Sequence, residues 1–240
     1  MTFAIAWATP QLGLLAADTL WRRVERDGLE WIDVDTQEGP KFGPVPGGWL
    51  FVGPLARLGG VVATVFEPAN IAATRAAVRA ASRAYVDQWQ AEAPGSPLLQ
   101  RLDADQQTFA VFAHGGRVAS VYWDWQARDL YGATTDVVAS GPKEVSVDRL
   151  SERLAAYQTA RDAAADDLFA ILRATGDLFA RVAELSAATS RPTVGPMLDV
   201  GLVVPSGERI LLSLQPAAQV RAASDDALIA MSRRWPAGAA

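Results

Sequence analysis

The sequence predicts an α+β protein in which two β-sheets pack together and helices cover their outer faces, giving four layers, αββα. Short apolar runs of strand length open the chain and recur in its middle and near its end. Longer stretches with apolar residues at helical spacing separate these runs. The resulting order is strands, helix, strands, two helices, strands. This order lacks both an internal repeat and the regular strand–helix alternation of a doubly wound fold.

The first half of the chain is predicted to form strands around one helix. The opening stretch TFAIAWATPQLGLLAADT reads as a hairpin with its turn at Pro10-Gln11. LEWIDVDT alternates apolar and polar residues and predicts a half-buried strand. EGPKFGPVPGG is rich in glycine and proline and predicts a loop. A buried strand follows that ends at Gly53, and residues 68–90 have the period of an amphipathic helix.

The second half is predicted to form strands, two helices and a closing hairpin. Three strand candidates, QTFAVFAHG, RVASVYWDW and TTDVVASG, lead to a helical region from Val147 to Ala188 with a break near 161–165. The stretch MLDVGLVVPSGERILLSL reads as a hairpin with its turn at Pro205-Ser206-Gly207. We therefore expect one domain over residues 1–214 and a C-terminal extension, residues 215–240, that is partly helical or flexible.

Composition excludes several classes of function. The formal net charge of −5 argues against nucleic acid as a main partner, because phosphate binding requires a basic face. Without cysteine the chain has no disulfide, thiolate metal site or cysteine nucleophile, and a histidine-based site would rest on His114 alone. We expect no cofactor and no metal. No run is long and apolar enough for a membrane span or a signal peptide, which favours a soluble, cytoplasmic protein without a membrane partner.

Thr2 raises the possibility of N-terminal chemistry. If Met1 is removed, Thr2 carries a hydroxyl and a free α-amino group, which can act as nucleophile and base together. The α-amino group titrates near about 7.7–8.0 and is partly neutral at cytoplasmic pH, as a general base requires. The alternative is that Thr2 is an ordinary second residue with no such role.

The element order, together with TFAIAW and LLAADT, resembles the β-subunits of proteasomes and their bacterial relatives. These are N-terminal-nucleophile (Ntn) hydrolases with an αββα sandwich. The resemblance covers roughly residues 2–212, although its motifs are short. It implies that Thr2 is the nucleophile and that Asp18, sixteen residues later, is a catalytic aspartate. The arginine that follows this aspartate in the family is not matched, because Leu20 stands there.

The resemblance also implies roles for later residues. Lys41 takes the place of a lysine whose ammonium lowers the pKa values of the amine and hydroxyl, with Asp18 holding it in place. Gly53 takes the place of the glycine whose backbone N–H binds the oxyanion. Ser140, in VVASGPKEVS, corresponds to a catalytic serine at the start of a helix. Near the final hairpin Thr193 matches a supporting serine, whereas Ser190 stands where the family has an aspartate.

Each of these residues also has a purely structural interpretation. Asp18 suits a turn or cap, Gly53 a strand end, and Ser140 a helix N-cap. Lys41 suits a solvated loop position, where its replacement would leave folding nearly intact.

Three functions remain open. The leading hypothesis is a threonine hydrolase of peptide or amide bonds that acts through an acyl-enzyme and assembles into a homo-oligomeric ring. The alternatives are a catalytically inactive subunit of the same fold, favoured by Ser190, and a small-molecule Ntn amidase. The sequence names neither the substrate nor an unfoldase partner.

Overall fold

The computed structural model describes residues 3–27, 30–51, 63–92, 107–124, 129–133, 136–141, 145–165, 167–190 and 192–235. The strands are β1 (Ala4–Ala8), β2 (Gly13–Asp18), β3 (Leu20–Asp27), β4 (Glu30–Glu38), β5 (Phe42–Val45), β6 (Gly48–Phe51), β7 (Gln107–His114), β8 (Arg117–Asp124), β9 (Asp129–Ala133), β10 (Val138–Ser140), β11 (Met197–Val203), β12 (Arg209–Pro216) and β13 (Ser232–Trp235). The helices are α1 (Ile71–Glu92), α2 (Val147–Ala164), α3 (Leu168–Ala187), α4 (Ala217–Ala222) and α5 (Asp225–Met231).

One antiparallel sheet has six strands in the order β10-β1-β2-β11-β12-β13. Its centre is the predicted opening hairpin, in which Ala4 pairs with Ala17 and Ala8 with Gly13. The Thr9 N–H donates to Leu12 O at 2.8 Å and closes the turn. Because β11 pairs with the other side of β2, Asp18 and Leu198 are cross-strand partners. The opening hairpin and the closing hairpin therefore meet in the middle of this sheet.

The second antiparallel sheet has five strands in the order β5-β6-β7-β8-β9. Gly115 and Gly116 join β7 to β8 with φ angles of 59° and 73°, a conformation that L-residues with side chains rarely adopt. The turn lies between the two strands that the sequence predicts at QTFAVFAHG and RVASVYWDW. Strands β3 and β4 pair separately as a two-stranded ribbon.

Three clusters of buried residues show how sheets and helices pack. Strands β1 and β2 place alternate residues on opposite faces of the six-stranded sheet, as the period of two requires. Phe3, Ile5 and Trp7 pack with α2 and α3 residues on one face. Ala4, Ala6 and Ala8 pack with residues of β6–β8 from the other sheet. The third cluster joins Val78 of α1 to that sheet's remaining face. The chain thus combines antiparallel sheets with helices, in agreement with the predicted α+β class.

Several predicted elements are confirmed. Helix α1 lies close to the predicted 68–90. The long helical region is two helices, α2 and α3, separated at Ala165–Asp167, and the Asp167 side chain caps α3 by accepting from the N–H groups of Phe169 and Ala170. The closing hairpin also forms as expected.

Other predictions are wrong in detail. The glycine- and proline-rich stretch expected to be a loop contains β5, which pairs with β6 through residues such as Pro44 opposite Trp49. Ser140 does not cap a helix: it ends β10, opposite Ala4, and Ser146 caps α2. Strands β3, β9 and β13 were not predicted; β9 and β13 are short and lie at the edges of their sheets.

The segment expected to be an extension contains α4, α5 and β13. Ala217, Val220 and Leu228 belong to the same buried cluster as Phe3. Strand β13 pairs with β12 as far as Trp235 opposite Arg209. Where the domain ends stays a prediction. Among the described helices, none combines the length and apolar character that crossing a membrane requires.

Candidate functional site

Asp18, the last residue of β2, fixes the beginning of the chain. Its backbone N–H donates to Phe3 O at 3.0 Å, and its Oδ1 accepts from the Phe3 N–H at 2.7 Å. Its Oδ2 accepts from the Leu20 N–H at 3.1 Å. The side chain is fully buried. Asp18 is therefore a buried carboxylate held by backbone donors on both sides, rather than an exposed turn residue.

Lys41 meets this carboxylate from the other sheet. It immediately precedes β5, and its Nζ donates to Asp18 Oδ2 at 2.8 Å. Lys41 is also fully buried, although a lysine in a loop of this composition is usually solvated. The expectation of a surface lysine is therefore wrong. The sequence pattern could not reveal the burial, because Lys41 becomes enclosed only when the two sheets pack together.

Burial dominates the electrostatics of the pair. Removal from water raises the pKa of the Asp18 carboxyl, and the Lys41 ammonium and the Phe3 and Leu20 N–H groups oppose that rise. Removal from water likewise lowers the pKa of Lys41, opposed by the carboxylates of Asp18, Glu38 and Asp199. An amine whose pKa lies below its ordinary value can exchange a proton nearer neutral pH than a solvated lysine can.

The choice of lysine at this position is informative. The chain has 22 lysine and arginine residues, of which only Lys41 and Lys143 are lysines. Arginine stays protonated under all ordinary conditions, whereas a buried lysine can lose its proton. The buried cation beside Asp18 is therefore one of only two among the 22 lysine and arginine side chains that can lose its proton readily.

Asp199 is the residue that the sequence analysis missed. It lies on β11, is fully buried, and accepts from Ser213 Oγ at 3.0 Å and from the Leu214 N–H at 2.7 Å. Burial raises the pKa of Asp199, and the backbone N–H and ammonium of Lys41 oppose that rise. Its signal in the sequence is a single acidic residue inside the apolar run MLDVGLVV.

The structure brings together only some of the predicted site residues. Asp18 and Lys41 are in contact. Ser140 lies on the neighbouring strand, with its Cα opposite that of Ala4. Thr2 and Gly53 lie outside the described residues.

The two expected supporting residues follow helix α3. Ser190 is exposed, whereas Thr193 is buried and its backbone N–H donates to Ser186 Oγ at 2.9 Å. Both therefore lie in the connection to β11. The contact with Ser186 fixes the main chain of Thr193.

The connection between α3 and β11 also borders the site. The Thr19 N–H donates to Met197 O at 3.3 Å, and the Thr19 hydroxyl donates to Glu38 Oε2. A Cβ at Gly195 would lie 2.9 Å from Glu38 Oε1 and 3.0 Å from Leu20 Cβ. Glycine at position 195 therefore lets the backbone approach the corner where β2 ends.

Comparisons with known proteins add no family. No protein-family model matches the chain, and a search of curated proteins gave no match. Within the described residues, no group of three or more histidine, aspartate or glutamate side chains is arranged to hold a metal ion. The site is therefore defined by its own geometry: a buried lysine–aspartate pair beside the first strand, with a second buried carboxylate nearby.

Proposed function

We propose that the protein is a threonine-type hydrolase of peptide or amide bonds, with Thr2 as its nucleophile after Met1 is removed. The observation that carries the proposal is the bond from the Phe3 N–H to Asp18, whose other oxygen holds the Lys41 ammonium. The nitrogen of Phe3 carries the peptide bond to Thr2. The buried ion pair therefore lies next to the position from which the nucleophile extends.

The reaction follows from these groups. The neutral α-amino group of Thr2 accepts the hydroxyl proton, directly or through water, as Oγ attacks the substrate carbonyl carbon. The ammonium of Lys41 stabilises the developing alkoxide, and Asp18 fixes the ammonium. Collapse of the tetrahedral intermediate breaks the C–N bond, and the departing amine takes the proton. Water then attacks the ester, and release of the acid restores the Thr2 hydroxyl.

The fold supports the same proposal. Buried clusters lie on both faces of each main sheet, with α2 and α3 against one and α1 against the other. We therefore propose a four-layer αββα sandwich of the Ntn type, similar to a proteasome β-subunit. In the resembled family the nucleophilic threonine opens the chain and the first strand follows it, and in this sequence Thr2 precedes β1.

We also propose a closed homo-oligomeric ring. Helix α1 packs through Val78, while its exposed positions are mainly alanine and arginine, which allow a close approach by a neighbouring subunit. Light scattering after size exclusion measures the assembly directly. A mass of 25.6 kDa at micromolar concentration contradicts the ring and favours a small-molecule amidase of the same chemistry.

One observation favours a second candidate, an inactive subunit of the same fold. Ser190 occupies the position where the resembled family has an aspartate, and it is exposed. An inactive subunit would keep the Asp18–Lys41 pair as structure and would have no acyl-enzyme step.

Hydrolysis of a panel of fluorogenic peptide amides tests the proposed function. The matched variants are Thr2→Ala and Thr159→Ala; Thr159 is an exposed threonine on α2. We expect the parent and Thr159→Ala to cleave at least one amide at equal rates, and Thr2→Ala to cleave none. Intact mass must show a chain that begins at Thr2. Equal cleavage by Thr2→Ala, or Met1 retained throughout the population, would overturn the proposal.

A further inference from the structure

Asp199 lies at an irregularity in the six-stranded sheet. Leu198 pairs with Gln215 and Val200 pairs with Leu212, so the single residue Asp199 stands opposite both Ser213 and Leu214. Such a β-bulge bends the strand and redirects side chains, and bulges are frequent beside functional sites. The bulge thus marks the point where β11 and β12 depart from regular pairing.

The backbone at this bulge is held in an unusual conformation. Leu214 has a φ of 53°, one of two positive values among the described non-glycine residues. This conformation costs free energy for a leucine and persists only where its surroundings enforce it. Asp199 Oδ1 supplies that enforcement, because it accepts from both the Leu214 N–H and the Ser213 hydroxyl.

The second oxygen of Asp199 is not used by the bulge. Oδ2 is buried and has no hydrogen-bond partner among the described residues. A bulge needs an acceptor at Oδ1 only, and an asparagine would provide one. Ala17, the cross-strand partner of Asp199, faces the other sheet, and Lys41 enters from that sheet. After the Leu214 N–H and the Ser213 hydroxyl, the positive charge of Lys41 also favours the charged form of Asp199. The carboxylate is therefore placed where its negative charge acts on Lys41.

We propose that Asp199 is a positioning residue for Lys41: the bulge aims its carboxylate towards Lys41, and the negative charge keeps the ammonium charged beside Asp18. Asp18 and Asp199 approach Lys41 from two adjacent strands, β2 and β11, and Glu38 contributes from the end of β4. The proposal rests on the proposed function only for the catalytic use of Lys41; the placement of the charge does not depend on it.

The chain offers a direct readout because it has only two lysines. In Lys143→Arg protein labelled at lysine, Lys41 gives the only side-chain amine signal in an NMR titration. The matched variants in this background are Asp199→Asn, which keeps shape and an acceptor, and Asp177→Asn, which removes a carboxylate paired with Arg181 on α3. We expect Lys41 to titrate at lower pH in Asp199→Asn, because a stabilising negative charge is lost, and to be unchanged in Asp177→Asn.

Coincident Lys41 titrations in Asp199→Asn and its parent would overturn the proposal, because a residue that serves only the bulge changes stability without moving Lys41. Ser213→Ala provides a second test that retains Asp199. It removes one donor to Oδ1, so the Asp199 carboxyl should protonate at higher pH. The change in the Lys41 signal that accompanies protonation of Asp199 should therefore also occur at higher pH. An acid-side change at the same pH as in the parent would contradict the proposal.

The two proposals can fail separately. A Lys41 signal that responds to Asp199, in a protein that cleaves amides equally well as Thr2→Ala, refutes the hydrolase and leaves the positioning role. Cleavage that depends on Thr2, with a Lys41 signal that does not change in Asp199→Asn, refutes the positioning role and leaves the hydrolase.

Discussion

The six-stranded sheet contributes to two buried polar groups, and the two groups differ in kind. On the helix side, Trp7 Nε1–H donates to the Tyr157 hydroxyl at 2.9 Å, which lies 3.2 Å from Thr175 Oγ1. At the end of β2, the Asp18 carboxylate holds the Lys41 ammonium at 2.8 Å. All these side chains are almost completely buried. One group is neutral and the other is an ion pair.

The difference in charge between the two groups indicates which of them stability alone explains. A neutral chain of hydroxyl and indole groups satisfies its donors at low cost, as buried polar groups usually do. A buried ion pair loses the hydration of two charges, and an apolar pair of similar volume is often as stable or more so. Stability therefore accounts more readily for Tyr157 than for Lys41, and the proposed hydrolase would give the ion pair a use.

The largest expected effect is that of Lys41→Ala. It leaves the Asp18 carboxylate buried without its cation, which typically costs about 3–5 kcal/mol. It should also lower amide hydrolysis by about a hundredfold or more, on the scale of lost acid–base catalysis. Denaturant unfolding and the peptide-amide assay measure the two effects. A variant as stable and as active as the parent would show that Lys41 contributes to neither stability nor catalysis.

Removing both charges should restore stability without restoring activity. In Asp18→Asn with Lys41→Met, the amide oxygen still accepts from Phe3 and neither member of the pair carries a charge. We expect the double variant to be more stable than the sum of the single changes indicates, with a coupling of roughly 0.5–3 kcal/mol. Strict additivity would mean that the two residues do not act as a pair.

Tyr157→Phe tests the neutral side of the comparison. It removes the acceptor of the Trp7 indole N–H, and an unsatisfied buried donor costs about 1–3 kcal/mol. Hydrolysis should be unchanged, because Tyr157 contacts α3 rather than Lys41. A loss of activity that exceeds the loss of folded protein would show that the Tyr157 group is coupled to the Asp18–Lys41 pair. The two groups could then not be treated as separate.

The pH dependence of stability should distinguish the pair from the rest of the fold. The raised pKa of Asp18 contributes stability below about 3.8 that is lost as pH rises through its folded pKa. The lowered pKa of Lys41 contributes stability above about 10.5 that is lost as pH falls through its folded pKa. The ion pair therefore contributes least at intermediate pH. The difference in the free energy of unfolding between the parent and the double variant, measured across pH, should show this minimum. A maximum at intermediate pH would contradict this explanation.

Patterns within short segments predicted the elements well. The opening hairpin, the two helices separated near Ala165 and the closing hairpin follow from apolar periodicity and turn residues, which act locally. Strand β5 was missed because its glycine and proline suit an edge strand as well as a loop, and only pairing with β6 decides between them.

The site was predictable only in part. The spacing of Thr2 and Asp18 reflects a hairpin, whose register brings Asp18 back to Phe3. Lys41 could be named but not its burial, which depends on packing between sheets. Asp199 could not be found from motifs, because its role depends on a bulge in which β12 has one residue more than β11.

Trapping of the acyl-enzyme tests the central claim most directly. A peptidyl β-lactone acylates a nucleophilic hydroxyl by ring opening and adds its whole mass to the protein. Our account predicts a chain that begins at Thr2 and carries one adduct on Thr2, with no adduct in Thr2→Ala and slowed formation in Lys41→Met. An adduct of equal extent in Thr2→Ala, or none in a chain that begins at Thr2, would contradict it.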